Sequence, residues 1–169
     1  MYTAAALAMC YGEDINKAML AGLLHDCAKC IPAEEKIRMC EENHLQISDV
    51  ERANPSLLHA KLGAFLAKTK YKIEDCDILK AIESHTTGRP DMSLLEKIIY
   101  IADYLEPGRT ELPNMADVRS LVFRDIDECL YRILKDSLVY LETKHLPIDI
   151  MTEKTYLYYK ETLKKQEEN

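Results

Sequence analysis

The sequence predicts an all-α fold, a single globular helical bundle that takes in residues 1–169. Apolar residues recur at helical spacing in one segment after another, which is typical of amphipathic helices packed on a common core. No segment shows the sustained alternation of apolar and polar residues that predicts a strand. With 169 residues, 47% of them hydrophobic, the chain is long enough to bury a substantial core.

The first two helices are predicted from their end signals. Residues 2–10 are rich in alanine and favour a helix, and Gly12 is placed to end it. Asp14 can then cap the second helix with its carboxylate. The apolar positions of this second helix follow helical spacing and are expected to face the core; they are Ile15, Ala18, Met19, Gly22 and Leu23.

Turn residues mark the starts of the next helices, with a short helical piece expected in the polar stretch 43–52. These starts are Pro32, Asn54-Pro55-Ser56, Asp75 or Asp77, and the capping-box signature Ser93-Leu94-Leu95-Glu96. Gly88 and Pro90 end the helix after Asp75, and Pro107-Gly108 ends the helix after Ser93. The last three predicted helices cover residues 115–122, 125–145 and 152–165, and the tail 164–169 is expected to fray.

Composition excludes several classes of partner. The chain has 22 basic and 29 acidic residues, and its net charge of −7 argues against a nucleic-acid partner held on a basic surface. No run approaches the roughly 18 apolar residues of a membrane span, so no membrane partner is expected. The six cysteines fall mostly in helix-like stretches and are interpreted as buried thiols of a cytoplasmic protein rather than as a disulfide framework. Cys27 and Cys30 form a C-x-x-C pair, but they lack the second pair of a zinc knuckle.

Four stretches place metal-binding side chains in or beside apolar helical segments. An imidazole and a carboxylate are costly to bury side by side unless a proton, a metal or a hydrogen-bond partner compensates. A ligand set of imidazoles and carboxylates without thiolates suits iron, manganese or zinc, and argues against a structural zinc. Each side chain alone would be typical of a core or surface residue, so the combination carries the prediction. The predicted metal ligands are His25, Asp26, His59, His85 and Asp103.

Cations and hydroxyl groups accompany these ligands along the chain. Lys29 follows the first pair by one turn, Arg89 follows His85 within a Thr-Thr-Gly loop, and Arg109 follows Asp103. Arginine can hold a phosphate through two hydrogen bonds, whereas lysine acts as a point charge. The sequence therefore predicts a phosphorylated small-molecule substrate at the metal site.

The order His-Asp, His, His, Asp on an all-α chain resembles the HD-domain metal-dependent phosphohydrolases. Two strings narrow the resemblance to the YqeK-type bacterial enzymes, which are symmetrical diadenosine tetraphosphate hydrolases. These strings are His85-Thr86-Thr87-Gly88-Arg89-Pro90 and Ala102-Asp103-Tyr104-Leu105-Glu106-Pro107-Gly108-Arg109. The resemblance covers nearly the whole chain, from Tyr2 to about Tyr159.

The resemblance implies a di-iron centre, with manganese or another divalent metal as the alternative. His25 and Asp103 would hold one iron, His59 and His85 would hold the other, and Asp26 would bridge them. A metal-activated water would cut diadenosine tetraphosphate at its midpoint, releasing two molecules of ADP; a GDP-like product belongs to the same class. Asp26 and Lys29 would be the catalytic residues. The implied substrate-binding residues are Lys29, Thr86, Thr87, Gly88, Arg89, Glu106 and Arg109.

Three further expectations follow from the resemblance. Glu106 would orient Arg109 or a water, and Tyr100 or Tyr104 would line the base pocket or pack in the core. The family carries another ligand histidine on its first helix, upstream of the position of Tyr2, so we expect this helix to be truncated at its N-terminal end.

Several alternatives stay open at this point. One is a phosphohydrolase of the same fold acting on another nucleotide, and another is a nucleotide-binding module with an incomplete metal site. A purely structural helical domain is the third. A homodimer is the alternative to a monomer, although no particular residue predicts it.

Overall fold

The structure is a computed structural model, and it describes residues 1–108 and 114–167. Within these ranges the chain is helical and contains no strand, as the sequence predicts. The helices are α1 (Tyr2–Tyr11), α2 (Ile15–Leu24), α3 (Ala33–Glu42), α4 (Asp49–Ala53), α5 (Leu58–Thr69), α6 (Cys76–Ser84), α7 (Leu94–Tyr104), α8 (Met115–Leu121), α9 (Ile126–Thr143) and α10 (Ile150–Glu167). A single 3-10 turn, Pro55–Leu57, precedes α5.

Capping side chains mark the starts of at least five of the ten described helices. Asp14, Asp75 and Asp125 each accept hydrogen bonds from two backbone N–H groups of the helix that follows, which satisfies donors that have no partner within the helix. Ser93 and Glu96 form the predicted capping box at the start of α7. A second capping box, at Ser48 on α4, was not predicted.

Helix α7 occupies the middle of the molecule. It packs against α1, α2, α6 and α9, and the other elements are arranged around it. One large cluster of buried apolar side chains draws residues from α1, α2 and every helix from α5 to α10. A smaller cluster around Ala28, Cys40, Leu58 and Leu62 fills the space beside α3 and α5. Because helices from both ends of the chain share the large cluster, we propose that the chain forms one domain.

The predicted inward face of α2 is wrong at two positions. Ile15 is 41% exposed and Leu23 is 62% exposed. The buried side of α2 consists instead of Ala18, Ala21, Gly22 and Leu24. A Cβ atom on Gly22 would lie 3.1 Å from the Met1 Cα, so α1 packs closely on the small residues and turns the larger ones outward.

The C-terminal helix contacts the loop that follows α6. Tyr159 on α10 is 2% exposed, and its hydroxyl oxygen accepts a hydrogen bond of 3.0 Å from the backbone N–H of Met92. Burial raises the pKa of this hydroxyl well above its usual range. Helix α10 runs to Glu167, so residues 164–167 are helical where the sequence led us to expect a frayed tail. None of the described helices is both long enough and apolar enough to cross a membrane.

Gly88 lies where this loop meets α10. Its φ of +65° falls in the left-handed region, and an added Cβ would lie 2.8 Å from the Thr155 Cγ2. Thr155 is fully buried, so this methyl group has little room to move.

We expect Gly88→Ala to lower the free energy of unfolding by roughly 2–4 kcal/mol. About 1 kcal/mol comes from the left-handed backbone and the remainder from crowding against α10. The matched control is Gly12→Ala, because Gly12 has a φ of +74° but no atom within 4 Å of the added Cβ. Urea denaturation of the metal-free proteins measures both changes, and equal losses would show that Thr155 moves aside at little cost.

Candidate metal centre

Four helix ends bring the five predicted ligands together. His25 and Asp26 directly follow α2, and His85 directly follows α6. His59 is the second residue of α5, and Asp103 lies in the last turn of α7. The site lies between the large core cluster and the smaller one beside α3 and α5.

The three imidazoles are oriented by the same local hydrogen bond. In each ring, Nδ1 lies at hydrogen-bond distance from the carbonyl oxygen three residues earlier: Gly22 at 3.0 Å from His25, Ser56 at 2.5 Å from His59, and Ile82 at 2.6 Å from His85. A carbonyl oxygen only accepts, so each Nδ1 carries the proton and donates it. Each Nε2 is therefore left with a lone pair, as metal-binding imidazoles require.

The Asp26 carboxylate lies between two groups of these nitrogens. Its Oδ1 is 3.3 Å from His59 Nε2 and 3.6 Å from His85 Nε2. Its Oδ2 is 3.4 Å from the Nε2 of His25, whose other carboxylate neighbour is Asp103 Oδ1 at 3.5 Å. Each side of the carboxylate therefore meets a separate set of candidate ligand atoms.

Two features of this arrangement fit a bound cation. His59 Nε2 and His85 Nε2 lie 3.0 Å apart, a separation at which two lone pairs repel unless a positive charge is present. Asp26 Oδ1 is buried and has no hydrogen-bond partner among the described residues, an arrangement that costs free energy without a compensating ligand. The ligand atoms of His25, Asp26 and His85 all lie within 4.8 Å of one another.

The electrostatic environment favours the metal-binding protonation state of Asp26 and His85, whereas at His25 it favours a proton that a metal would have to displace. Burial opposes ionisation of Asp26, but the adjacent imidazoles of His59 and His85 and the Lys29 ammonium group outweigh it and hold the pKa of this carboxyl far below its usual value. His85 is 3% exposed, and burial lowers the pKa of its imidazole, which stays neutral. Burial also acts to lower the pKa of His25, yet hydrogen bonding to Asp103 and the nearby carboxylate charges raise it overall.

Lys29 and Thr86 lie at the rim of the centre. Lys29 Nζ donates to Asp26 Oδ2 at 2.6 Å, and the lysine side chain is 54% exposed. The Thr86 hydroxyl oxygen lies 3.3 Å from His85 Nε2 and 3.4 Å from His59 Nε2. An ammonium group and a hydroxyl group thus border the space that faces the ligand nitrogens.

The other predicted substrate-binding residues are placed differently. Thr87 donates its hydroxyl proton to the Gly88 carbonyl oxygen at 3.1 Å. Arg89 forms two hydrogen bonds to the buried Glu96 carboxylate, and so points toward the start of α7. Glu106 follows α7 with an exposed side chain, while Arg109 lies outside the described residues.

A cavity of about 670 Å³ opens beside Thr86. Tyr100 and Tyr104 of α7 form one wall, so both are buried side chains and cavity-lining residues at once. The opposite wall comes from α9 and the segment after it, including Tyr140 and Asp136. Sequence reasoning missed this second wall, because no pattern within α9 distinguishes a cavity-lining position from a solvated one.

The thiols lie outside this ligand set. Cys27, next to Asp26, has its Sγ 3.6 Å from the Gly63 carbonyl oxygen, and burial raises the pKa of its thiol. A centre of imidazole and carboxylate groups alone suits a divalent metal of the iron, manganese or zinc type.

Comparisons with known proteins agree with this geometry. The chain is 40% identical to the symmetrical bis(5'-nucleosyl)-tetraphosphatase of Bacillus subtilis, over 92% of this chain and 83% of that protein. It is 42% identical to the protein of the same name from Halalkalibacterium halodurans, over 92% of this chain and 82% of that one.

A solved structure from Clostridium acetobutylicum is also similar. It is described as a predicted HD superfamily hydrolase involved in NAD metabolism, and it matches with a TM-score of 0.91 and 42% identity. The match covers 95% of this chain and 84% of that one. The family model described as HD domain matches residues 1–108, which contain all five candidate ligands, and the chain therefore belongs to the HD-domain family.

Proposed function

We propose that this protein is a metal-dependent hydrolase that cleaves diadenosine tetraphosphate symmetrically into two molecules of ADP. The observation that carries the proposal is the Asp26 carboxylate set between the imidazoles of His59 and His85 on one side and His25 on the other. The names of two relatives that align over 92% of this chain support the choice of substrate.

Membership of the HD-domain family implies a divalent metal at this centre. We propose a pair of iron ions, with manganese as the alternative. His25 and Asp103 would hold one ion, His59 and His85 the other, and Asp26 both. A bound metal pair supplies a water of lowered pKa as nucleophile, together with positive charge for the phosphoryl oxygens.

The chain's own residues bind and orient the polyphosphate in this proposal. Lys29 is more than half exposed, so its ammonium group can turn from Asp26 toward a phosphate oxygen and offset the charge that develops on cleavage. The Thr86 hydroxyl, placed beside two ligand nitrogens, offers a neutral donor to the same oxygens. Glu106, which follows α7, is proposed to orient Arg109 or a water, and Arg109, which lies outside the described residues, is proposed to bind phosphate.

The cavity beside Thr86 is the proposed site for one nucleoside. Its volume of about 670 Å³ falls in the range of roughly 300–1,000 Å³ that is typical of small-molecule sites. The rings of Tyr100, Tyr104 and Tyr140 supply surfaces on which a purine can stack. Thr86 belongs both to this cavity and to the metal centre, so a nucleoside bound here would direct its phosphates toward Asp26.

We expect a divalent metal to raise the melting temperature of the protein. At a metal concentration of about 100 times the Kd, binding stabilises a folded protein by roughly 2.7 kcal/mol. His59→Ala and Asp26→Ala should abolish most of this shift. His44→Ala is the matched control, because His44 is exposed and follows α3, a helix that carries no candidate ligand. A thermal melt with and without manganous ion measures the shift, and an equal shift in His59→Ala would contradict the ligand assignment.

Product analysis tests the reaction itself. With diadenosine tetraphosphate and ferrous or manganous ion under anaerobic conditions, we expect ADP as the sole nucleotide product. In oxygen-18 water, half of the ADP molecules should carry one labelled oxygen, because one water enters per cleavage. ATP with AMP would overturn midpoint cleavage, whereas metal binding without any product would favour another nucleotide substrate or a binding module.

Lys29→Gln should lower kcat/KM by roughly 10²–10³-fold, the range seen when one charge-stabilising donor is removed. The control Lys68→Gln removes a lysine from the exposed side of α5 and should leave the rate unchanged. Steady-state kinetics on both variants measures the difference. Equal rates would exclude Lys29 from the reaction.

A further inference from the structure

A buried carboxylate outside the ligand set is the most completely hydrogen-bonded acidic group near the centre. Glu96, in the first turn of α7, is fully buried. Its Oε1 lies 2.7 Å from Arg89 Nε and 3.1 Å from the Ser84 hydroxyl. Its Oε2 lies 2.6 Å from Arg89 Nη2 and 2.8 Å from the Ser93 backbone N–H.

These contacts exceed what a capping box requires. The box needs only the reciprocal bonds between Ser93 and Glu96. A buried ion pair is costly unless hydrogen bonds satisfy both partners, and here both oxygens of Glu96 are occupied. Burial opposes ionisation of Glu96, but the Arg89 guanidinium outweighs it and holds the pKa of this carboxyl below its usual value.

The partners of Glu96 flank the residues that face the metal centre. Ser84 directly precedes His85, and Arg89 follows Thr86 by three residues. Glu96 is therefore bonded to the two residues that flank the short segment 85–88. The third Arg89 nitrogen, Nη1, donates to the Pro90 carbonyl oxygen at 3.0 Å. All three nitrogens of this guanidinium group are therefore hydrogen-bonded within the protein.

We propose that Glu96 is a positioning residue for the metal centre, and that Arg89 acts through Glu96 rather than by contacting phosphate. The pair fixes segment 85–88 from the side of α7, while Thr155 of α10 bounds it at Gly88. Fixing this segment maintains the 3.0 Å separation of His59 Nε2 and His85 Nε2 and keeps the Thr86 hydroxyl beside them. The kinetic consequence of this inference rests on the proposed function, whereas its consequence for metal binding does not.

Metal affinity is the first measurement, made by titrating the full chain with cobaltous ion and following its visible absorption. We expect Glu96→Gln to weaken cobalt binding by roughly 10–100-fold, the range seen when partners that orient metal ligands are removed. Arg89→Gln should weaken it similarly, and the double variant should be no worse than either single variant, because the two residues act as one unit. Arg89→Lys, which keeps the charge but loses the paired geometry, should restore part of the affinity.

The control is Glu41→Gln. Glu41 pairs with an arginine, Arg52 at 3.0 Å, but these two residues lie on α3 and α4, which carry no candidate ligand. This variant should bind cobalt as the wild type does. Wild-type cobalt affinity in a folded Glu96→Gln protein would overturn the proposal. If Glu96→Gln does not fold, wild-type cobalt affinity in Arg89→Gln would overturn it instead.

Kinetics separate positioning from direct contact with phosphate. If Arg89 acts through Glu96, Arg89→Gln should lower kcat, with a smaller change in KM, under cobalt concentrations that saturate the wild type. A raised KM with unchanged kcat and unchanged cobalt affinity would show that Arg89 contacts the substrate, and would overturn the inference. If the wild type binds cobalt but does not cleave diadenosine tetraphosphate, the proposed function fails while the cobalt titration still decides the role of Glu96.

Discussion

The arrangement of the centre depends on three hydrogen bonds inside the chain's own helical turns. Each imidazole donates its Nδ1 proton to the carbonyl oxygen three residues before it. These bonds fix both the tautomer and the rotation of each ring at once, since the acceptor belongs to the same turn. Each Nε2 is therefore oriented within its own helical turn. The packing of α2, α5 and α6 then brings the three Nε2 atoms together around Asp26.

Local signals made much of the fold predictable. The capping residues Asp14 and Ser93 and the left-handed Gly12 end or begin helices where the sequence predicts. The five candidate ligands are also predictable as a set, because each interrupts an apolar helical segment with a side chain that needs a partner. The structure brings these five side chains together, whereas the role of each one stays a prediction.

Other features depend on packing between distant elements, which one sequence does not reveal. Leu23 and Ile15 are turned outward because Gly22 and two alanines let α1 pack closely on the other side of α2. The partnership of Arg89 and Glu96 was missed because the capping box accounts for Glu96 and the resemblance assigned Arg89 to phosphate. The far wall of the cavity, built by α9, gives no periodic signal, because Asp136 and Tyr140 resemble ordinary surface residues of a long helix.

The region that matches the HD-domain family ends at residue 108, yet α10 touches the loop after His85 through Thr155 and Tyr159. The C-terminal helices thus form one wall of the cavity and support the rim of the centre without supplying a candidate ligand. Under the proposed function, the reacting groups therefore come only from the first 108 residues, whereas the nucleoside cavity is shared between those residues and the C-terminal helices. Substitutions in α9 and α10 would then alter which molecule the cavity accommodates while the reacting groups stay the same.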